Sequence, residues 1–529
     1  MKRFSLFPIP GVLFFVLPLL FAGLFSALQY LPLLETAENR WYDQLLRFRP
    51  SVEEHEDIVL LNLDDRAVAA QGEWPWRRGA TGDHLLRLSE LSPSAVVLDI
   101  EYIDPGLLEI DGDDYTETVP QTVEEEFTSL RNNTLDVAEA LDSGALDMAS
   151  APLYFFDLAD ELRSSQRRIE QELEAAVRDG DRHLATAMSL NGPVYLPIVL
   201  AAREDQVVGF DSPEAVRMFS IPVDGGVERT VPAVAEVRGI VDPIDEGAAA
   251  AGFANTQVDA DGVKRAIHLL LRREEQVLPQ LVLPAYLDQT GVERVEVTRR
   301  EVMFHRGDGE APTRVPRLPD GRVLVNWPQK RFEDSFTQVS FAELIELGQL
   351  EDDLLFNLRQ MERAGYFAYA DGSIAPVEAW NRAQEVRRRA IAEQNPALFR
   401  ESRELARVYR AAVGTFLGGG AEAQMLADAD AILSDETLSD SERRSVENAR
   451  ASVEEVFEKT RGIYDRALGL RDRLESLLED RTVFVGLTAT GTADIGVMPF
   501  DEEYVNVGLH ASLLNMLLQG SFLDRLPRT

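Results

Sequence analysis

The 529-residue chain has no cysteine, which excludes disulfide bonds, thiolate catalysis and cysteine metal sites together. Lysine is nearly as scarce: Lys2, Lys264, Lys330 and Lys459 are the whole complement, so arginine supplies almost all of the 53 basic residues. Those 53 stand against 91 acidic residues, and the resulting net charge of -38 disfavours binding to nucleic acid or to an anionic membrane surface. The six histidines are scattered, and neither a Ser-His-Asp spacing nor a glycine-rich loop running into Lys-Ser or Lys-Thr occurs. Hydrolase and nucleotide-phosphate chemistry therefore have no motif to rest on. Gly418-Gly419-Gly420 continues into Ala421-Glu422 and reads as a hinge. What the chain does have is a hydrophobic fraction of 45%, enough for a sizeable core. Its length suits two or three bodies, or one domain carrying long insertions.

Long apolar runs are also rare, and the one that exists is at the start. No charge falls between Arg3 and Glu35, and the stretch from Gly11 to Leu28 is apolar almost throughout, long enough to span a bilayer. A cleaved signal peptide would have a shorter apolar region and a clearer small-residue exit than Ser26 and Ala27 offer. The expectation is one N-terminal transmembrane helix within residues 1–34. Charge alone does not orient it, because Lys2 and Arg3 flank one end and Arg40, Arg47 and Arg49 the other. From Glu38 to Pro50, Trp41, Leu45 and Phe48 share a helical face, a short amphipathic stalk. After Leu518 no segment is long or apolar enough to return to a membrane.

The body is organised around residues 58–101. Ile58 to Leu63 is a short apolar run ending in Asp64-Asp65, and Ala95 to Leu98 is another ending in Asp99-Ile100-Glu101; both read as buried parallel strands. Between them Gly72-Glu73-Trp74-Pro75-Trp76-Arg77-Arg78 precedes a helix marked by Leu85, Leu86, Leu88 and Leu91 and closed by Pro93. In a β-α-β unit of this kind ligands gather beyond the carboxyl ends of the strands. Asp64, Asp65, Asp99 and Glu101 belong at that end, joined by Asp494 from a later small-residue loop. These carboxylates either share a rim that binds a cation or cationic ligand, or cap loops and pair with Arg77 and Arg78. Trp74 and Trp76 either stack on a planar or sugar-like ligand or plug the strand ends. His510 opens a helix and either senses pH or caps and packs.

Along the rest of the chain, residues of about 105–180 form an acidic, mainly helical excursion without strand signals. The scaffold resumes with a helix from Asp181 to Met188 and a strand from Gly192 to Leu200. Next come a turn at Asp259 to Arg265, a strand from Ile267 to Leu271, a helix from Pro279 to Leu287, a strand from Val323 to Trp327 and a helix from Val339 to Leu347. Residues 351–480 alternate arginine and glutamate with alanine and leucine and lack strand runs, as in an insertion of two or more antiparallel helices. This insertion is either a solvated arm or a surface for a dimer contact or partner. Residues 481–529 return to the scaffold with a strand at Thr482 to Leu487 and an apolar helix from Gly508 to Leu518. The fold class is α/β, with a mixed, mostly parallel central sheet flanked by helices, the long helical insertion and the N-terminal span.

The ordered motifs resemble the CHASE2 extracellular sensory domain of bacterial transmembrane receptors. The resemblance rests on Trp41 with Asp43, the strand into Asp64, Trp74-Pro75-Trp76-Arg77, the strand into Asp99, the helix opened by Asp181 and Asp261-Gly262-Val263-Lys264-Arg265. Asn326-Trp327, Val485-Gly486 with Asp494 and Pro499, and Gly508-Leu509-His510-Ala511 complete it. It covers roughly residues 38–523 apart from the two insertions. It implies an extracytoplasmic, periplasmic sensor of residues 35–350 and 481–529 behind one span, reporting a small-molecule or envelope stimulus. The output domain, expected after Thr529, is a class III adenylate or guanylate cyclase or a kinase. It implies a homodimer, no cofactor, no metal and no catalysis within this chain. The alternative is a stand-alone adaptor of the cell envelope that binds a partner through its helical insertion.

Overall fold

The computed structural model describes residues 18–21, 23, 32–110, 119–147, 150–201, 212–307, 309–370 and 375–524. Most of the anticipated N-terminal span lies outside them. Among the described residues no helix is long and apolar enough to cross a membrane.

The stalk forms helix α1 (Pro32–Phe48), and the β-α-β unit follows as β1 (Ile58–Leu63), α2 (Asp65–Gln71), α3 (Arg78–Glu90) and β2 (Ala95–Asp99). Beyond the excursion come α4 (Gly180–Asn191), β3 (Val194–Ala201), β4 (Glu236–Arg238), β5 (Ala250–Phe253) and β6 (Thr337–Ser340). Helix α5 (Phe341–Arg363), strand β7 (Thr482–Leu487) and helix α6 (Asn506–Gln519) complete the scaffold. The seven strands form one sheet in which β6, β1, β7, β2 and β3 lie in that order, with β4 and β5 both on β3. All neighbours are parallel except β3 and β4.

Both faces of this sheet are covered, as a parallel sheet requires. Val59, Leu61, Val96, Leu98, Val483 and Val485 pack on one side with α3, α4 and α5. Their neighbours Ile58, Leu60, Val97 and Phe484 pack on the other with α6 and the helix Leu283–Thr290. On that second side sits a smaller sheet made of Val223–Gly225, Val292–Val297, Glu301–Arg306 and Thr313–Pro316. Strand β7 and helix α6 approach so closely that a Cβ on Gly486 would lie 2.7 Å from Val507; only glycine fits there.

Several expectations are corrected. Val339 is not helical: Thr337–Ser340 pairs with Val59–Asn62 as an edge strand, and the helix begins only after Ser340, whose hydroxyl accepts from Ala342 N. The strand expected from Val323 to Trp327 stops at Leu324, because Asn326 and Trp327 are engaged by the stalk. The helix expected from Pro279 begins at Leu283, and Gln276–Pro279 pairs with Leu270–Arg273 as a hairpin. The excursion has strands after all, since Leu108–Ile110 and Val177–Asp179 pair antiparallel at the base of its two helices, Val119–Asp142 and Ala151–Ala175.

The insertion is not a free arm. Helix α5 runs through residue 350, so scaffold and insertion share it. Helices Pro376–Ala392, Pro396–Gly418, Ala421–Leu433 and Asp440–Leu478 follow. They bury a core of their own around Leu358, Val413, Phe416 and Phe457. Ala390, Phe399, Leu474 and Leu478 join the main core instead, and Arg471 bridges Glu90 at 3.0 Å and Glu351 at 2.6 Å.

Candidate functional site

A pocket of about 770 Å³ opens beyond the carboxyl ends of β2, β5 and β7. Strand β2 supplies Asp99 and leads to Glu101 and Tyr102; β5 leads to Asn255 and Thr256; β7 leads to the loop of Thr492 and Asp494. Helix α6 brings His510, and the turn before the short strand Ala266–His268 brings Lys264. Trp74 and Trp76 form one wall.

Burial grades across this pocket. Glu101 and Asp494 are exposed at the mouth, Asp99 is half-buried, and Lys264 and His510 are buried. Burial, with the neighbouring charge of Asp494 second, pushes the Asp99 carboxyl up to about 7. Burial raises Glu101 too, assisted by Asp99 and Asp494. Burial lowers the Lys264 ammonium, which donates to Asn506 Oδ1 at 2.8 Å.

His510 is held by one amide. Gln280 Oε1 accepts from Val282 N at 2.9 Å, so its Nε2 is the group that faces His510 Nδ1 at 2.8 Å. An amide nitrogen only donates, which makes Nδ1 the acceptor and assigns the imidazole proton to Nε2. That Nε2 faces Asp99 Oδ2 across 3.9 Å, longer than a hydrogen bond. Burial first, then the Lys264 charge, lowers His510 to about 4, so the ring is neutral near pH 7.

Six of the nine candidate residues line this pocket: Trp74, Trp76, Asp99, Glu101, Asp494 and His510. The other three do not. Asp64 is the N-cap of α2, accepting from Ala67 N at 2.9 Å and from the Ser340 hydroxyl at 2.9 Å. Asp65 accepts from Thr490 N and its hydroxyl at 2.8 Å, fastening the loop after β7. Arg77 is exposed at the N-cap of α3. The proposed pairing of Arg78 with Asp64 or Asp99 is replaced by Asp181 at 3.3 Å, and the guanidinium lies over the Tyr102 ring at 4.3 Å.

The two tryptophans divide the alternatives. Trp76 is a plug, 8% exposed, donating to Gly72 O at 3.0 Å and packing on Phe341. Trp74 stands edge-on to it at 5.4 Å, half-buried. Among the described residues no group of three or more His, Asp or Glu side chains is arranged to hold a metal ion. Lys264, Gln280 and Asn506 were not anticipated as site residues; for Lys264 the available signal was its rarity in an arginine-dominated chain.

The family model described as the CHASE2 domain matches residues 14–371 and 370–529 of this chain. No curated protein and no solved structure matches it.

Proposed function

The chain belongs to the CHASE2 sensory domain family, and from that premise we propose that it is the extracytoplasmic part of a bacterial membrane receptor. It reads a stimulus in the pocket at the strand ends and relays it to a C-terminal output domain, for which a class III nucleotide cyclase is the leading candidate. One observation carries the reading: pocket-lining Lys264 is followed directly by Arg265, which grips Asp43 of the stalk through two hydrogen bonds of 2.7 Å. A ligand that moves Lys264 therefore pulls on the helix that leads toward the N-terminal span.

The far end of the domain is tied in at the same place. Asn326 is contacted by Arg49 at the end of the stalk and itself donates to Ser521 O and Oγ at 2.9 and 2.7 Å, just beyond α6. The stalk and the segment after α6 thus move together, as a relay between two juxtamembrane connections requires. Leu19, Leu20 and Phe21, exposed and apolar among the first described residues, support an N-terminal membrane anchor. A homodimer follows from the pairing of such output domains and belongs to the same proposal.

Because the chain lacks cysteine, a Ser441→Cys variant carries a single thiol on an exposed residue. A membrane-impermeant maleimide should label it in intact spheroplasts. Labelling only after lysis overturns the extracytoplasmic placement.

A further inference from the structure

We propose that the pocket binds a small organic ammonium compound, its cationic nitrogen held by Asp99, Glu101 and Asp494 and its carbon skeleton laid against Trp74. The inference rests on the reading of this pocket as the stimulus site and adds the chemistry of what occupies it.

The first argument is charge. Three carboxylates line the pocket, and the cations beside them are engaged. Arg78 is turned toward Asp181 and the Tyr102 ring, and Lys264 is held by Asn506. His510 is neutral. Lys264 remains a counter-charge to Asp494 and Arg238 eases Glu101, yet burial and the neighbouring acids outweigh these for Asp99 and Glu101, which both hold their protons more tightly than ordinary carboxyls. A cation entering among them removes that conflict.

The second argument is unfilled polar capacity in a buried place. Tyr102 is 1% exposed and lines the pocket, yet its hydroxyl has no hydrogen-bond partner. His510 is also 1% exposed, and its Nε2 lies 3.9 Å from Asp99 Oδ2, beyond hydrogen-bond reach. Buried polar groups are normally satisfied, so the unmet Tyr102 hydroxyl at this pocket indicates a site whose hydrogen bonds are completed by something else. An ammonium group donates to the tyrosine oxygen and to the carboxylates. It also favours the ionised form of Asp99, which His510 Nε2 faces across 3.9 Å.

The third argument separates an organic cation from a metal. The described residues present no metal-holding group of His, Asp and Glu side chains. A half-buried indole at the mouth suits an alkylammonium, which gains cation–π attraction and apolar contact together. The volume of about 770 Å³ is that of a small-molecule site and far larger than a metal ion needs.

The test is calorimetry on the full chain in detergent micelles, titrated with 1,4-diaminobutane and with choline, and in parallel with succinate and calcium chloride. The expected result is saturable binding of at least one amine, none of succinate, and roughly tenfold weaker binding in Asp494→Asn and in Glu101→Gln. Both residues are exposed, so unchanged melting curves will certify that these variants are folded. Near pH 6.5 amine binding should also release protons, seen as a heat that depends on the ionisation enthalpy of the buffer. The groups facing Asp99 are Glu101, Asp494, Lys264 and His510, and Asp99→Asn should abolish most of that release.

Calcium titrating the same carboxylates while both amines stay silent overturns the assignment. So does amine binding that is indifferent to Asp494→Asn and Glu101→Gln. If the amines fail but another compound quenches Trp74 fluorescence and competes for the pocket, the ammonium assignment falls and the stimulus site stands. If Trp74→Ala and Asp99→Asn leave every ligand response of the intact receptor unchanged, the stimulus site falls as well.

Discussion

Arg265 and Asp43 meet across 222 residues of sequence, the Nε and Nη2 of the guanidinium each 2.7 Å from one oxygen of the carboxylate. Asp259 at 3.0 Å and Asp261 at 2.8 and 2.9 Å complete a collar around a guanidinium that is 1% exposed. A planar fork satisfied on every side is what makes so deep a burial of charge tolerable. It also fixes the stalk to the sheet.

Arg265→Ala should cost about 3–5 kcal/mol, because it strands Asp43 and Asp261 without their cation, Asp259 alone keeping Arg322 at 2.8 Å. Arg265→Lys keeps the charge but loses the fork, and should melt between the wild type and the alanine variant. Thermal melts of the three proteins check the order; a lysine variant as stable as the wild type contradicts the bidentate account.

Asn326 is 2% exposed and stands between Arg49 and Ser521. Asn326→Ala leaves partly buried partners unmet and should cost about 1–3 kcal/mol. The loss should be local. Hydrogen exchange should quicken around residues 45–50 and 519–523 while β1, β2 and β7 keep their protection.

Asp99 makes a distinctive contribution to pH dependence. Its carboxyl titrates near 7 when folded, through burial and then Asp494, against an ordinary value of about 3.9 when unfolded. A raised acid binds its proton more tightly in the folded state, so its stabilising contribution is complete below pH ~4 and is lost as pH climbs to ~7. His84, His268 and His510 are lowered to about 4, in each case first by burial. They act in the opposite sense, their contribution being present above the unfolded value of about 6.5 and lost as pH falls to about 4. The wild-type profile therefore mixes both. The difference between Asp99→Asn and wild type isolates the first: the variant should gain relative stability on the order of a few kcal/mol as pH rises from 4 to 8. A flat difference contradicts the burial of an uncompensated acid.

Glu90 is the reverse case. Its carboxyl is lowered to about 2: burial opposes its charge, and Arg387, Arg471 and Arg87 overcome that opposition. Its contribution is present above the ordinary value of about 4.3 and disappears as pH falls to about 2. Arg471→Ala should destabilise the junction of insertion and scaffold by about 3–5 kcal/mol. Limited proteolysis should then cut first within residues 375–480, whereas release of the scaffold first would contradict the role of this network as the junction.

The legible parts of the fold are those written in local pattern. Ile58–Leu63 and Thr482–Leu487 are apolar runs interrupted only by Asn62 and opened by Thr482, because both faces of a parallel sheet are buried. The insertion was visible through its arginine, glutamate and alanine content, but its rooting in the main core through Phe399 and Leu474 was not. Thr337–Ser340 was hidden because a four-residue edge strand running straight into a helix has too few alternations to announce itself. At the site, Asp99, Glu101 and Asp494 were found by their places after strands. Asp64 and Asp65 hold equivalent places in sequence and lie elsewhere, since α2 begins immediately after β1 and consumes both as cap and loop tie.

Sequence by itself determined that this chain builds a core without disulfides, that its strands are of the doubly buried kind, and that acids cluster after them. Those are local properties, set by residue type and spacing within a few turns of chain. Tertiary structure decided that Thr482–Leu487, the last strand of the main sheet, lies between β1 and β2, pairing with Ile58–Leu63 along its length. It thereby carried Asp494 and His510 to Asp99 and placed Lys264 beside the grip on Asp43. Partners hundreds of residues apart are chosen by which packing buries most apolar surface and leaves fewest charges unpaired, a comparison made over the whole chain at once.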